Sequence, residues 1–112
     1  MTDTYPNILC IGNAITDVVS SSTEQFISKN GMIKNAMNLI DHVRSEEIDK
    51  LINNATIVAG GSAANTAACL SKFNCSSNFI GRVGSDEYGV NYRNNLNKQL
   101  VKTHLINDLE YP

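Results

Sequence analysis

Apolar and polar positions along the chain alternate between two periods, and each period predicts a different element. Residues 7–12 form a largely apolar run, which is typical of a strand buried on both faces, and residues 15–19 continue in an extended pattern after a turn. Further strands are predicted over residues 56–59, 78–83 and 103–106. The chain therefore predicts a series of short strands with longer intervals between them.

Helical periods fill those intervals. The predicted helices run over residues 22–28, from Asp41 or Ser45 to residue 52, over residues 62–73, and from residue 85 to about residue 101. Ser22 and Gln25 fit a capping box at the start of the first helix. Ser62 is placed to cap the third helix, and Ser85 with two following carboxylates suits the start of the fourth.

Strands that alternate with helices predict an α/β fold, with a mainly parallel sheet flanked by helices and joined by right-handed crossovers. Residues 32–40 interrupt this alternation, because they are predicted to be extended with Met37 and Leu39 on one face. A length of 112 residues limits the chain to one small domain or part of one.

The corner between the strand at 56–59 and the next helix, Gly60-Gly61-Ser62, is the most informative feature of the chain. Two glycines allow backbone conformations that a side chain forbids and leave the N–H groups uncovered. Uncovered N–H groups at the positive end of a helix suit a hydroxylated or anionic small molecule. A Gly-Gly-Ser turn before a helix is also common scaffolding, so the motif alone leaves a purely structural role open.

Three motifs at fixed separations are more specific together than any one of them alone. They are residues 8–17, which end in Asp17, the Gly60-Gly61 turn with Asn65, and the glycine-rich segment 81–89. This pattern resembles the N-terminal signature of the ribokinase-like, or phosphofructokinase B-type, carbohydrate kinase family, which includes the adenosine kinases. The family usually has Gly or Ser where this chain has Asn74, a mild departure because Asn tolerates left-handed backbone geometry at a helix exit.

The resemblance implies which residues contact the phosphate acceptor: Asn13, Ile15, Asp17, Met37, Gly60, Gly61, Ser62 and Asn65. The family uses the Asp that matches Asp17 to accept hydrogen bonds from two neighbouring sugar hydroxyls. Without the resemblance, a solvated loop Asp would be the better interpretation. Asn13 and Asn65 each offer a donor and an acceptor, although Asn65 also suits an ordinary surface position. Ile15 and Met37 are predicted to line an apolar pocket for a base.

The resemblance also implies a small β lid over the acceptor site, with strands around residues 15–21 and 32–40. Family members are much longer, and this chain resembles about their first third. We therefore expect residues 1–112 to be the N-terminal part of a single ribokinase-like kinase domain, without the C-terminal nucleotide-binding part. No Gly-Ala-Gly-Asp-type segment, which carries the family's catalytic base, occurs in the sequence. No catalytic residue is assigned, and the base is expected beyond Pro112.

The implied function is the acceptor-binding portion of an ATP-dependent sugar or nucleoside kinase that phosphorylates a primary hydroxyl. ATP and Mg²⁺ are the implied cofactors, with binding residues mostly outside this chain. Gly60-Gly61-Ser62 is closer to the adenosine kinase variant than to the sugar-specific members with Lys after the paired glycines, which slightly favours an adenosine-like nucleoside. The resemblance leaves a homodimer formed through the lid open. The 112 residues alone are expected to be inactive.

A non-catalytic ligand-binding or assembly module from a truncated kinase is the alternative. A reading frame that continues past Pro112 into a Gly-Ala-Gly-Asp segment would favour the enzyme. The sequence does not decide which sugar or nucleoside is bound.

Composition and charge restrict the kinds of protein that this chain can be. The chain is 42% hydrophobic and 18% charged, as in a globular protein, and its net charge of −2 includes no basic patch for nucleic acid or anionic membrane. No apolar run reaches the ~20 residues of a membrane-spanning helix, and residues 1–6 lack a leader pattern, so the cytoplasm is the expected location. Three cysteines without CxxC spacing and two isolated histidines predict neither a metal site nor a disulfide.

Overall fold

The computed structural model describes residues 7–110. Residues 1–6, in which the sequence predicts no leader, and residues 111–112 lie outside the described residues. The elements follow in the order β1 (Asn7–Ile11), β2 (Ile15–Val19), α1 (Glu24–Lys29), α2 (His42–Leu51), β3 (Thr56–Gly60), α3 (Ser62–Lys72), β4 (Ser76–Gly84), α4 (Glu87–Lys98) and β5 (Lys102–Asp108). Residues 18–56 form one compact unit, and residues 7–17 with 57–110 form the other.

A parallel three-stranded sheet is the centre of the larger unit. Its strand order is β1-β4-β5, with Cys10 opposite Phe79 and Phe79 opposite Thr103. Strands β2 and β3 pair in a separate two-stranded sheet. The predicted α/β class with a mainly parallel sheet flanked by helices is confirmed.

Small residues let helix α3 lie close to the sheet. Ala64, Ala67 and Ala68 recur at the i, i+3 and i+4 positions of one buried face, which packs against β1 and β4. Helix α4 packs against β4 and β5. The buried core consists of Ala64, Ala67, Ala68, Phe79, Val83, Tyr92, Leu96 and Val101. The core thus lies between the two helices and one face of the sheet.

Helix α4 is held by its packing, because its four asparagines give it a poor helix propensity. Its buried stripe is Gly89, Tyr92 and Leu96. A Cβ built on Gly89 would overlap the carbonyl oxygen of Gly84, so the helix backbone lies directly against the end of β4. The helix ends at Lys98, three residues before the predicted end, because Leu100 takes a φ of 63° and the chain leaves the helix there.

The predicted N-caps of α1 and α4 are each wrong by one residue. Thr23, not Ser22, is the N-cap of α1, and its Oγ1 accepts a hydrogen bond from the Phe26 N–H at 3.1 Å. Asp86, not Ser85, is the N-cap of α4. In both cases adjacent polar residues are each able to cap, and the sequence alone does not choose between them. For α2, Asp41 is confirmed as the cap in preference to Ser45.

Residues 32–40, predicted to be extended, contain no strand in the structure. Asn35 has a φ of 60°, and the Ala36 N–H donates to the Ile33 carbonyl at 3.3 Å. The Asn38 amide donates to the Ala36 carbonyl at 3.1 Å. Asparagine stabilises left-handed and turn conformations through such local bonds, which compete with a strand ladder. The lid itself stays a prediction.

Candidate functional site

The site begins where β2 and β3 bring Asp17 against Gly60. A Cβ built on Gly60 would overlap the Asp17 carboxylate and lie 2.9 Å from its Cγ. Gly60 is buried, whereas Asp17 is exposed. Glycine is therefore required at position 60 for the carboxylate to occupy this place, and the carboxylate still meets solvent.

Gly61 makes the next contact of the same corner. Its φ of +95° lies in the region that L side chains rarely adopt. A Cβ built there would lie 2.7 Å from the Asn13 carbonyl oxygen and 3.7 Å from the Ile15 backbone nitrogen. The chain segment that follows β1 thus passes directly over the glycine turn.

Helix α3 begins at this turn without a side-chain cap. Gly61 is its N-cap and makes no side-chain hydrogen bond, so the prediction that Ser62 caps the helix is wrong. Ser62 is the first helical residue, and its carbonyl accepts a hydrogen bond from Thr66 Oγ1 at 2.8 Å. A residue in the first helical position already has helical dihedrals, so its side chain does not reach the donors that a cap satisfies. Asn65 lies one turn further on, with its N–H donating to the Gly61 carbonyl at 2.9 Å.

The structure brings five of the eight predicted residues together: Asn13, Ile15, Asp17, Gly60 and Gly61. Ser62 and Asn65 follow on the first turns of α3, where both are exposed. Met37 belongs to the other compact unit, and 90% of its surface is exposed. The contact of these residues with a ligand stays a prediction.

Sequence reasoning missed one residue that touches the corner, Tyr92 of α4. Its hydroxyl donates to the Gly60 carbonyl at 3.0 Å, and its side chain is 2% exposed. Burial raises the pKa of Tyr92 from 10.0 to about 12, so the hydroxyl, already protonated at neutral pH, stays a donor to a higher pH than that of an exposed tyrosine. The available signal was the helical spacing of Gly89, Tyr92 and Leu96, which predicts a buried face but no partner 32 residues away.

The arrangement suits hydroxyl recognition better than metal binding. An exposed carboxylate beside uncapped helix N–H groups offers acceptors and donors on the same small surface. Within residues 7–110, no group of three or more His, Cys, Asp or Glu side chains is placed to hold a metal ion. None of the helices between residues 7 and 110 is long and apolar enough to cross a membrane.

The structure confirms the left-handed backbone predicted at Asn74. Its φ is 61°, two residues after α3 ends at Lys72. Asn is the non-glycine residue that best tolerates this geometry, so the substitution keeps the helix exit intact.

The comparisons with known proteins agree with this geometry. The pfkB family carbohydrate kinase model matches residues 6–110. No curated protein gives a significant match to the chain. Among solved structures, a probable sugar kinase from Rhizobium etli CFN 42 is 33% identical with a TM-score of 0.74, over 93% of this chain and 31% of that one.

Two adenosine kinases also resemble the chain. The enzyme from Sinorhizobium meliloti is 33% identical with a TM-score of 0.72, over 93% of this chain and 32% of that one. The apo enzyme from Trypanosoma brucei brucei shares the fold at 17% identity, with a TM-score of 0.80 over 97% of this chain and 35% of that one. This chain spans about a third of the length of these structures. The chain belongs to the pfkB family of carbohydrate kinases.

Proposed function

We propose that this chain provides the acceptor-binding part of an ATP-dependent sugar or nucleoside kinase that phosphorylates a primary hydroxyl. Membership of the pfkB family supports a kinase of sugars or nucleosides. The observation that carries the acceptor-binding role is the exposed Asp17 carboxylate, seated against Gly60 at the corner where α3 begins.

The Asp17 carboxylate accepts hydrogen bonds from two neighbouring hydroxyls of the acceptor sugar. Asn13 and Asn65 supply further donors and acceptors, and Gly61 lets the acceptor approach the main chain. These contacts hold the hydroxyl that receives the phosphoryl group. Correct placement of this hydroxyl is a main part of catalysis in phosphoryl transfer. ATP with Mg²⁺ is the phosphoryl donor that kinase family membership implies.

An adenosine-like nucleoside is the acceptor we favour. The Gly60-Gly61-Ser62 variant supports it, as does Ile15, which is 48% exposed beside the glycine turn and offers apolar surface to a base. The two relatives with 33% identity are a probable sugar kinase and an adenosine kinase, so they support both acceptor classes equally. Four further points stay predictions: the contact of Met37 with a base, the lid, a homodimer formed through the lid, and the cytoplasmic location.

The decisive experiment measures how Asp17 couples to the sugar hydroxyls. Adenosine and 2′-deoxyadenosine, which lacks one of the two neighbouring hydroxyls, are titrated into the complete native protein and its Asp17→Asn variant by calorimetry. We expect Asp17→Asn to weaken adenosine binding by roughly tenfold to a hundredfold, because a charge-assisted hydrogen bond contributes about 1.5–3 kcal/mol. The deoxy compound should lose much less in the variant, since one partner hydroxyl is already absent.

Glu87→Gln is the matched control, because it removes the same charge from an exposed residue in the first turn of another helix. It should bind both compounds like the wild type. Equal losses for adenosine and 2′-deoxyadenosine, or an unchanged adenosine affinity in Asp17→Asn, would remove Asp17 from the acceptor site. Binding without any transfer from ATP would instead favour the non-catalytic module.

A further inference from the structure

We infer that Tyr92 is a positioning residue for the acceptor site, because it fixes the Gly60–Gly61 peptide from the core side. This inference rests on the proposed function of the corner. Tyr92 belongs to α4, a helix that contributes no residue to the predicted acceptor contacts. Its role follows from what its hydroxyl touches and from how firmly its ring is held.

The hydroxyl sets the direction of a single peptide unit. It donates to the Gly60 carbonyl oxygen at 3.0 Å. The C=O of Gly60 and the N–H of Gly61 belong to the same trans peptide, in which they point in opposite directions. Holding the oxygen toward the core therefore turns the Gly61 N–H away from the core.

Glycine makes this anchor necessary. Two successive glycines leave the peptide between them free to rotate through conformations that other residues forbid, and Gly61 sits at a φ of +95°. The Asp17 carboxylate contacts the Cα side of Gly60, while Tyr92 holds its carbonyl. Together they define one conformation for a turn that its own sequence leaves flexible.

Tyr92 is itself held rigidly enough to act as an anchor. Its side chain is 2% exposed, and its ring lies 6.0 Å from the Phe79 ring at an interplanar angle of 49°. Three residues earlier on the same helical face, Gly89 lets α4 contact the backbone of Gly84. The position of the hydroxyl is therefore fixed by packing on the central strand β4.

The test replaces the hydroxyl and keeps the ring. Tyr92→Phe in the complete native protein retains the contact with Phe79 but leaves the Gly60 carbonyl without its donor. Ser77→Ala is the matched control, because Ser77 is 1% exposed and its hydroxyl donates to the Ala67 carbonyl at 2.8 Å in the same core. Both variants lose one buried hydrogen bond to a backbone carbonyl, but only the first loses it at the corner. Ser77→Ala also loses the hydrogen bond between the Ser77 and Ser71 hydroxyls, so its loss of stability should be at least as large as that of Tyr92→Phe.

Two measurements separate positioning from general stability. In amide NMR spectra, Tyr92→Phe should shift the Gly61 resonance, whereas Ser77→Ala should leave that resonance unchanged. In calorimetry, Tyr92→Phe should weaken adenosine binding by about threefold to tenfold, the equivalent of one ordinary hydrogen bond, and Ser77→Ala should not. With turnover, the KM for the acceptor should rise while the KM for ATP stays the same.

The outcomes distinguish this inference from the proposed function. A wild-type protein that binds neither adenosine nor ribose would contradict the proposed function, while the Gly61 resonance still decides whether Tyr92 fixes the corner. An unchanged Gly61 resonance in Tyr92→Phe would overturn the inference, whatever the protein binds. Equal losses of affinity in both variants, or a Tyr92→Phe chain that does not fold, would also overturn it, because the hydroxyl would then support the core as a whole.

Discussion

Two corners of the larger unit each join a strand to a helix through glycine, but they differ in whether a side chain caps the helix. At the first, Gly60-Gly61-Ser62, helix α3 starts without a side-chain cap. At the second, Gly84-Ser85-Asp86, the Asp86 carboxylate accepts a hydrogen bond from the Gly89 N–H at 2.9 Å, and Ser85 Oγ donates to the Asp108 carbonyl at 3.0 Å. We call them the open corner and the closed corner. A side chain thus caps the helix start at the closed corner, and no side chain does so at the open one.

Their glycines differ in what fills the space of the missing side chain. At the closed corner, a Cβ on Gly89 would meet the backbone of Gly84, which moves only with the helix or the strand. At the open corner, a Cβ on Gly60 would meet the carboxylate of Asp17, the end of an exposed side chain. One glycine therefore serves packing, and the other keeps a place for a functional group.

The largest effect on stability is expected at the closed corner. Gly89→Ala forces α4 away from β4, and overpacking against backbone should lower the free energy of unfolding by about 3 kcal/mol. Urea denaturation of the complete protein measures this loss. Val90→Ala is the control, because Val90 is the next residue of the same helix and is 59% exposed, so its loss should be small. Equal midpoints for the two variants would contradict the close contact of α4 with Gly84.

The open corner should respond in binding instead. Gly60→Ala displaces the Asp17 carboxylate, and we expect a loss of about 2 kcal/mol in acceptor binding, or roughly thirtyfold in affinity. Because the displaced group can rotate into solvent, the free energy of unfolding should fall by less than about 1 kcal/mol. Calorimetry with adenosine and urea denaturation test the two halves separately. A large loss of stability with unchanged affinity would contradict this prediction, because Gly60 would then serve packing, as Gly89 does.

Elements with a strong apolar period were predictable from the sequence, and the choice between neighbouring polar residues was not. The strands β1 and β3 and the helix α3 are confirmed at or within one residue of their predicted ends, because their apolar runs and glycine turns agree. The caps Thr23 and Asp86 replaced their neighbours, since two adjacent oxygens compete for the same N–H groups.

The candidate site shows the same division. The glycine turn and Asp17 came from the sequence through the spacing of the family motif, and the structure brings them into contact. Tyr92 came only from the structure, because its bond to Gly60 joins residues 32 positions apart and no local pattern records it. Long-range partners of this kind depend on how α4 packs, which the sequence period leaves undetermined.

The cap of the closed corner should give a smaller loss of stability than Gly89. Asp86→Ala removes the acceptor for the Gly89 N–H, which should cost about 1 kcal/mol in the free energy of unfolding. Asp86→Asn keeps an acceptor oxygen and should recover most of that loss. Adenosine affinity should not change in either variant, since Asp86 is not among the predicted acceptor contacts. An affinity loss in Asp86→Ala would mean that the two corners are coupled.

The smallest effect on stability is expected from Ser62→Ala at the open corner. If Ser62 capped α3, its removal would cost about 1 kcal/mol, as at the closed corner. The structure gives the N-cap to Gly61 and leaves the Ser62 side chain exposed, so the loss should stay below about 0.5 kcal/mol. The proposed contact of Ser62 with the acceptor can then be measured separately from stability. A drop in adenosine affinity at unchanged free energy of unfolding would report the loss of that contact. A Ser62→Ala loss as large as that of Asp86→Ala would show that the open corner is capped in solution, and the contrast between the two corners would disappear.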